Sequence, residues 1–377
     1  MAANSGIDVK VFYLWDRAGS GNRDQGFGHS IEWDLPLLEG YEHEFVANTS
    51  RHPGTERFWG MRNMELASRI AEFKPEAALL IGYRYASMMR LIFTPKRRRG
   101  YPLLFRGDSH RLFPPGEGWK SLVRREFIST VYRRFAACLY VGRANRDYFR
   151  LHGMPDEKLF FAPHAVDNDR FMQNAETARR EGMEWRRKIG IPDGHLLGMF
   201  AGKLEEKKRP LDLLAAFERL HRSDVSLLFV GSGKLEQELR AKAERIPNVF
   251  FAPFQNQSVM PRTYAGCDLF ILPSYGPEET WGLAINEALC LARPVIVSSH
   301  VGCAADLVRQ NHNGWTFPAG NVEALASTLR EALSNPEQLR RFGQEGRRIV
   351  EDYDYATATR GLQDALAMIR QRDRGRR

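Results

Sequence analysis

Two glutamates eight positions apart, Glu279 and Glu287, stand in the stretch Pro273 to Phe317, which reads PSYGPEETWGLAINEALCLARPVIVSSHVGCAADLVRQNHNGWTF. One lies in a Gly/Pro loop and the other in a helical pattern. As residue types they could work as an acid and base pair, hold the hydroxyls of a ligand, or belong to a solvated acidic loop. Further upstream, GKLEEKKRP (Gly202 to Pro210) carries Lys203 and Lys208, five positions apart. Two ammonium groups beside a helix N-terminus can neutralise a pyrophosphate carrying about two negative charges. Alone, such a turn reads as a solvated basic turn.

Two other features could touch a ligand. His110 follows PLLF (102–105) in the run RGDSH, just past a strand end, where open α/β sheets present their ligand edge. A lone histidine is more often structural. The loop RAGSGNRDQGFGH (17–29) offers Gly21, Gly26 and Gly28, whose bare backbone can approach a phosphate or acceptor closely. It lacks the third glycine of a dinucleotide fingerprint, and a surface loop is the plain alternative.

The elements that must position these groups alternate. Apolar runs at 8–15, 44–47, 77–81, 102–106, 137–141 and 159–162 read as strands separated by helical patterns. A second series follows at 196–201, 225–230, 249–252, 269–272 and 295–297, then helices from Val322 onward. Strand, loop, helix, strand is the unit of a doubly wound parallel sheet, so the class is α/β with two similar domains. Pro210 opens a helix as a favoured first-turn proline. The polar stretch 166–195 reads as an interdomain connector, and Asp167-Asn168-Asp169 within it reads as a helix-capping or linker segment, not a metal ligand set.

Composition narrows the partners. With 377 residues, a hydrophobic fraction of 43% and no apolar run long enough to span a bilayer, the chain reads as two globular domains in the cytoplasm. The four cysteines, Cys138, Cys267, Cys290 and Cys303, are widely spaced and read as buried thiols. The net charge of +9 admits nucleic acid, anionic lipid or a phosphorylated small molecule. Nucleic acid is disfavoured because aromatics do not interleave with the basic runs. Residues 119–135 place Trp119, Leu122, Val123, Phe127, Ile128, Val131, Tyr132 and Phe135 on one apolar face, with Lys120, Arg124, Arg125, Arg133 and Arg134 on the other. Such a helix packs on its own core, or docks on an anionic membrane together with Lys96–Arg99 and the arginine-rich tail.

GKLEEKKRP, LLFVGSG (227–233), NVFFAPF (248–254), CDLFILPS (267–274), Glu279, Trp281-Gly282, Glu287-Ala288, Pro294-Val295-Ile296 and Asn313-Gly314 follow one another in an order that resembles the retaining, nucleotide-sugar-dependent glycosyltransferases of family 4, or glycosyl transferases group 1. The resemblance covers about 196 to 333 well and the first domain loosely. It implies the GT-B fold: two Rossmann-like α/β domains facing across a cleft. Their expected limits are 1–165 for the acceptor domain, 166–195 for the connector, 196–350 for the donor domain, and 351–377 for a helix returning to the first domain.

The resemblance also implies roles. Glu279, with Trp281 and Gly282, takes the donor sugar; Lys203, Lys208, Gly282 and Leu283 take the diphosphate; Glu287 takes the ribose. His110, Glu279 and Lys208 form the catalytic set, and neither metal nor cofactor beyond the nucleotide-sugar co-substrate is implied. The acceptor would be a glycan, a lipid-linked saccharide or a small molecule, as in surface polysaccharide or glycoconjugate synthesis; peripheral contact at the cytoplasmic face of an anionic membrane is suggested by the basic helix at 119–135, not by the resemblance. A noncatalytic nucleotide-sugar-binding protein is the alternative. This chain departs from the family pattern at Lys203 (commonly arginine), Trp281 (phenylalanine), Ala292 and Cys303 (glycine), and in the loop 17–29, which replaces a paired-glycine acceptor loop.

Overall fold

A computed structural model describes residues 6–15, 33–113 and 118–375; the glycines at 21, 26 and 28 lie outside the described residues. The chain divides into two compact units. One comprises Pro36–Pro163 with residues 6–15 and 356–375, the other His164–Tyr355 with residues 33–35.

The first unit opens with a parallel pair, β1 (Lys10–Tyr13) and β2 (Glu42–Phe45), in which Lys10 bridges Glu42 and Glu44 at 2.8 and 3.1 Å. A separate parallel sheet runs β3 (Ala78–Ile81), β4 (Leu103–Arg106), β5 (Ala137–Tyr140) and β6 (Leu159–Phe161) in consecutive order. The helices of this part are α1 (Leu66–Phe73), α2 (Ala86–Phe93), α3 (Lys96–Arg99), α4 (Trp119–Tyr132) and α5 (Arg143–Leu151). β4 and β5 are buried throughout apart from their last residues, which is why they read as continuous apolar runs rather than alternating ones.

The second unit holds α6 (Asn168–Met172), α7 (Ala175–Ile189), β7 (Leu196–Ala201), α8 (Pro210–Glu218), β8 (Val225–Val230), α9 (Glu236–Ala243), β9 (Val249–Ala252), α10 (Met260–Ala265), β10 (Leu269–Leu272), α11 (Leu283–Cys290), β11 (Val295–Ser298), α12 (Ala304–Leu307), β12 (Gly314–Phe317), α13 (Val322–Ala332) and α14 (Pro336–Val350). Its six strands are all parallel and lie in the order β12-β11-β10-β7-β8-β9. The chain fills one side of β7 outward and then returns to fill the other side from β10. That reversal between β7 and β10 is a topological switch point, where doubly wound sheets open a crevice beyond the strand ends.

α15 (Tyr355–Arg374) then joins the first unit. Ala358, Ala365, Leu366 and Ile369 pack with Leu104, Ala137, Leu139 and Ala162, and Arg370 grips Glu76 through Nε and one Nη at 2.6 and 2.7 Å.

Two sequence expectations change. The polar stretch 166–195 is not a free connector: it folds into α6 and α7 within the second unit. Trp185 and Arg186 of α7 are buried, and Arg186 pairs with Asp268 at 3.0 Å while donating to the His195 carbonyl. Asp167 does cap α6, accepting from the Arg170 N–H. The apolar positions of α4 do not form one face. Ile128, Val131 and Tyr132 are buried, whereas Trp119, Leu122, Val123 and Phe127 are exposed, and the two sets point about 160° apart around the helix axis. Residues at steps of three, four and one include both sides when the run is longer than two turns. All four cysteines are buried and unbonded to one another.

Gly182 tests the place of α7. A Cβ there would stand 2.6 Å from the Arg262 carbonyl oxygen and 2.7 Å from the Gly266 nitrogen, so α7 and α10 meet backbone to backbone. Gly182→Ala is expected to cost about 1–3 kcal/mol in urea unfolding followed by circular dichroism. An unchanged midpoint would reject this packing.

Candidate active site

The switch point gathers the charged residues. Lys203 and Lys208 lie on the loop after β7, and Glu279 on the loop after β10, the two strands that pair across the reversal. Pro210 forces the helix start, and the turn 206–208 before it, with Arg209 in a left-handed conformation, delivers Lys208 inward. The Lys208 ammonium is ion-paired with Oε2 of Glu279, and the same oxygen accepts from Ser274 Oγ at 2.7 Å. Ser274 is fully buried just past the end of β10 and its carbonyl accepts from Ser298 Oγ, so a fixed strand end helps to aim the carboxylate. Lys207 bridges Glu205 at 3.4 Å and Glu278 at 3.3 Å, and its carbonyl receives the Tyr275 N–H at 2.8 Å, tying the two loops together.

The far side of the Glu279 loop rests on the turn Val301-Gly302-Cys303. The Gly302 N–H donates to the Glu279 carbonyl and the Cys303 N–H to the Trp281 carbonyl. A Cβ on residue 302 would lie 1.8 Å from the Thr280 oxygen, so only glycine permits the approach. Gly282 is the N-cap of α11 and has no side chain to satisfy the first-turn N–H groups. Those amides give this end of the site positive character.

Trp281 faces the other way. Its side chain is buried, donates from Nε1 to Asn286 Oδ1 at 2.8 Å, and lies beside the rings of His164 and Tyr353. The backbone at 281 remains at the site, but the indole positions the loop from beneath and is not turned toward a ligand.

Glu287 sits one helical turn further along α11. Its carboxylate accepts from Tyr264 Oη at 2.7 Å, and burial, against that bond and the Arg170 charge, pushes its pKa from 4.5 up to about 7. Tyr264 comes from α10, is itself buried, and had no sequence signal. Ser274 had one, its place directly after an apolar strand, but a turn serine and a carboxylate-aiming serine look alike in sequence.

His110 belongs to the first unit. It follows β4, and its Nδ1 accepts the Leu112 N–H at 3.2 Å, which leaves Nε2 to carry the proton of the neutral ring. Asn145, buried at the start of α5, accepts the Val141 N–H through Oδ1 and donates to the Ser109 carbonyl at 2.8 Å, fixing the segment that bears the histidine. Arg106 closes the same strand end by donating to the Ala162 and Pro163 carbonyls. The structure thus brings Lys208, Glu279, Gly282 and the first turn of α11 into one site in the second unit, with Lys203 on the same β7 loop and Glu287 on the same helix.

Residues 183–349 match the family model described as glycosyl transferases group 1. That stretch contains every site residue of the second unit. Among curated proteins, the chain is 28% identical over 184 residues to the sulfoquinovosyl transferase SQD2 of Arabidopsis thaliana, covering 48% of this chain and 35% of that protein. It is 30% identical over 171 residues to the O-antigen chain mannosyltransferase C of Escherichia coli, covering 45% and 44%. The matched stretch spans less than half the length of both relatives. The fold reaches further. The Anabaena protein Alr3699/HepE, solved in complex with UDP and glucose, superposes with a TM-score of 0.67 at 17% identity over 87% of this chain and 86% of its own. The fold is GT-B, built of two Rossmann-like α/β domains.

The raised Glu287 carboxyl makes a pH prediction. It ionises near 4.5 in the unfolded chain and near 7 in the folded one, so the folded state holds the proton more tightly. Its stabilising contribution is complete below the lower value and is lost as pH rises through the higher. The melting temperature of Glu287→Gln, which stays neutral, should therefore gain on the wild type between those two values and hold its lead above them. A difference between the two proteins that is flat across this range would contradict a proton-retaining carboxyl at this half-buried position.

Proposed function

We propose that this protein is a retaining, metal-independent glycosyltransferase of family 4 that moves a sugar from a nucleotide-sugar donor to a glycan, lipid-linked or small-molecule acceptor. The observation that carries the reading is the Lys208–Glu279–Ser274 cluster at the switch point, inside the stretch that matches the group 1 family model. The Anabaena fold relative was also solved with UDP-glucose, which supports a nucleotide-sugar donor here.

The roles follow from charge. Lys208 and Glu279 now satisfy each other; a donor diphosphate would compete for the ammonium while sugar hydroxyls compete for the carboxylate. Lys203, Lys208 and the first-turn amides of α11 stabilise the charge that grows on the diphosphate as the bond from the anomeric carbon to phosphate breaks. The acceptor oxygen forms the new bond on the same face, and its proton passes to the departing phosphate oxygen. Glu279 orients the sugar, Gly282 and Leu283 offer backbone donors, and Glu287 takes the ribose hydroxyls. His110, proton on Nε2, would donate to the donor sugar at the reaction centre. Contact with an anionic membrane would bring a lipid-linked acceptor within reach.

A thermal-shift panel of UDP-, GDP-, dTDP- and ADP-sugars is the first test, since a ligand at about a hundred times its dissociation constant adds about 2.7 kcal/mol. Donor-dependent transfer or donor hydrolysis then separates the enzyme from a noncatalytic nucleotide-sugar binder, which would shift in the melt and release no nucleotide. Lys208→Ala should lower turnover by about a hundredfold or more, the usual loss for one transition-state charge donor. Near-normal turnover would sink the role given to Lys208. Turnover abolished by EDTA and restored by magnesium would sink the metal-free chemistry.

A further inference from the structure

The first half of α4 has an apolar side that nothing among the described residues covers. Trp119 is 70% exposed, Leu122 67%, Val123 60% and Phe127 47%, in a protein whose other large apolar side chains are mostly interior. Isolated exposed apolar residues are ordinary, but four on one side of two helical turns form a patch. The opposite side of the same helix, Ile128, Val131 and Tyr132, is locked into the first unit's core, so the helix is formed before it meets anything.

Charge specifies what the patch would meet. Lys120, Arg124 and Arg125 flank it, all exposed, and none pairs with a carboxylate among the described residues. Arg111, exposed just upstream, adds a further charge close enough to His152 to be felt there with those of Arg125 and Arg124. The one acidic side chain of α4, Glu126, lies on this same side, one turn from Leu122 and Val123, and is paired with Arg133 at 2.7 Å. The other basic runs contribute less than their composition promises, since Arg99 is spent on the Leu91 and Thr94 carbonyls and Arg370 on Glu76.

We propose that the exposed side of α4 is a docking surface for an anionic lipid bilayer, with Trp119, Leu122, Val123 and Phe127 entering the headgroup boundary and Lys120, Arg124 and Arg125 engaging lipid phosphates. An amphipathic helix lying in the interface buries its apolar side about 5–10 Å deep, within reach of four such side chains. A second copy of this chain is a poorer occupant, because a twofold contact would set this cationic flank against itself. Nucleic acid would use the cations but has no place for Leu122 and Val123.

The test is co-sedimentation of the full chain with phosphatidylglycerol/phosphatidylcholine vesicles and with phosphatidylcholine vesicles alone, without any sugar donor, so that its result is independent of the transfer reading. The wild type should bind the anionic vesicles and release as salt rises. Trp119→Ser/Leu122→Ser/Phe127→Ser, all at exposed positions and checked for an unchanged melting temperature, should bind at least tenfold more weakly. Lys120→Gln/Arg124→Gln should weaken binding to anionic vesicles about thirtyfold, from about 1 kcal/mol per basic residue at such a surface. Three results would overturn the proposal: no binding by the wild type, full binding by the serine variant, or a wild-type dimer in gel filtration that the serine variant abolishes.

Discussion

The reversal of chain direction across the sheet between β7 and β10 governs the rest of the second unit. These strands are neighbours in space but lie far apart in sequence, with β8, β9 and their helices between them. Because both run parallel, their carboxyl ends open at the same edge, and the loops that follow must diverge to opposite faces. Lys208 on one loop and Glu279 on the other are therefore brought together by topology rather than by local sequence. The interior of the sheet supplies rigidity: β7, β8, β10 and β11 are almost wholly buried, so the strand ends that carry the site cannot shift without disturbing the core.

A second constraint is electrostatic. Partly buried charges are costly unless paired, and both carboxylates of the site have a partner. Glu279, only 11% exposed in its side chain, receives both an ammonium and a hydroxyl. Glu287 receives one phenol and otherwise resists ionisation up to about pH 7. Gly302, Trp281 and Asn286 act from behind, fixing the loop on which Glu279 and Gly282 sit.

The first unit follows the same logic with different means. Asn145 and Arg106 tie the strand-end segment after β4 to neighbouring strand and helix ends, so that His110 is held by backbone hydrogen bonds on both sides of it in sequence. The helix that follows, α4, is divided along its length: its second half serves the core and its first half presents apolar and cationic groups outward. One helix thus anchors the unit and offers a surface.

The sequence by itself determined the two α/β units, most strands of the second unit to the residue, the helix start at Pro210 and the order of motifs that put Lys203, Lys208, Glu279 and Glu287 on strand ends or the helix that follows. Buried parallel strands are short apolar runs bounded by turn residues, and these signals are local. The β1–β2 pairing apart from the main sheet, the last strand Gly314–Phe317, the folding of 166–195 into the second unit, the inward turn of Trp281 and the reach of Tyr264 to Glu287 were decided only in three dimensions. Each depends on which neighbour lies across a helix or beyond a strand end, and no local pattern encodes that. The division of α4 is the sharpest case. Spacing announced that its apolar residues belonged to a helix, but only the packed core showed which of them it needed.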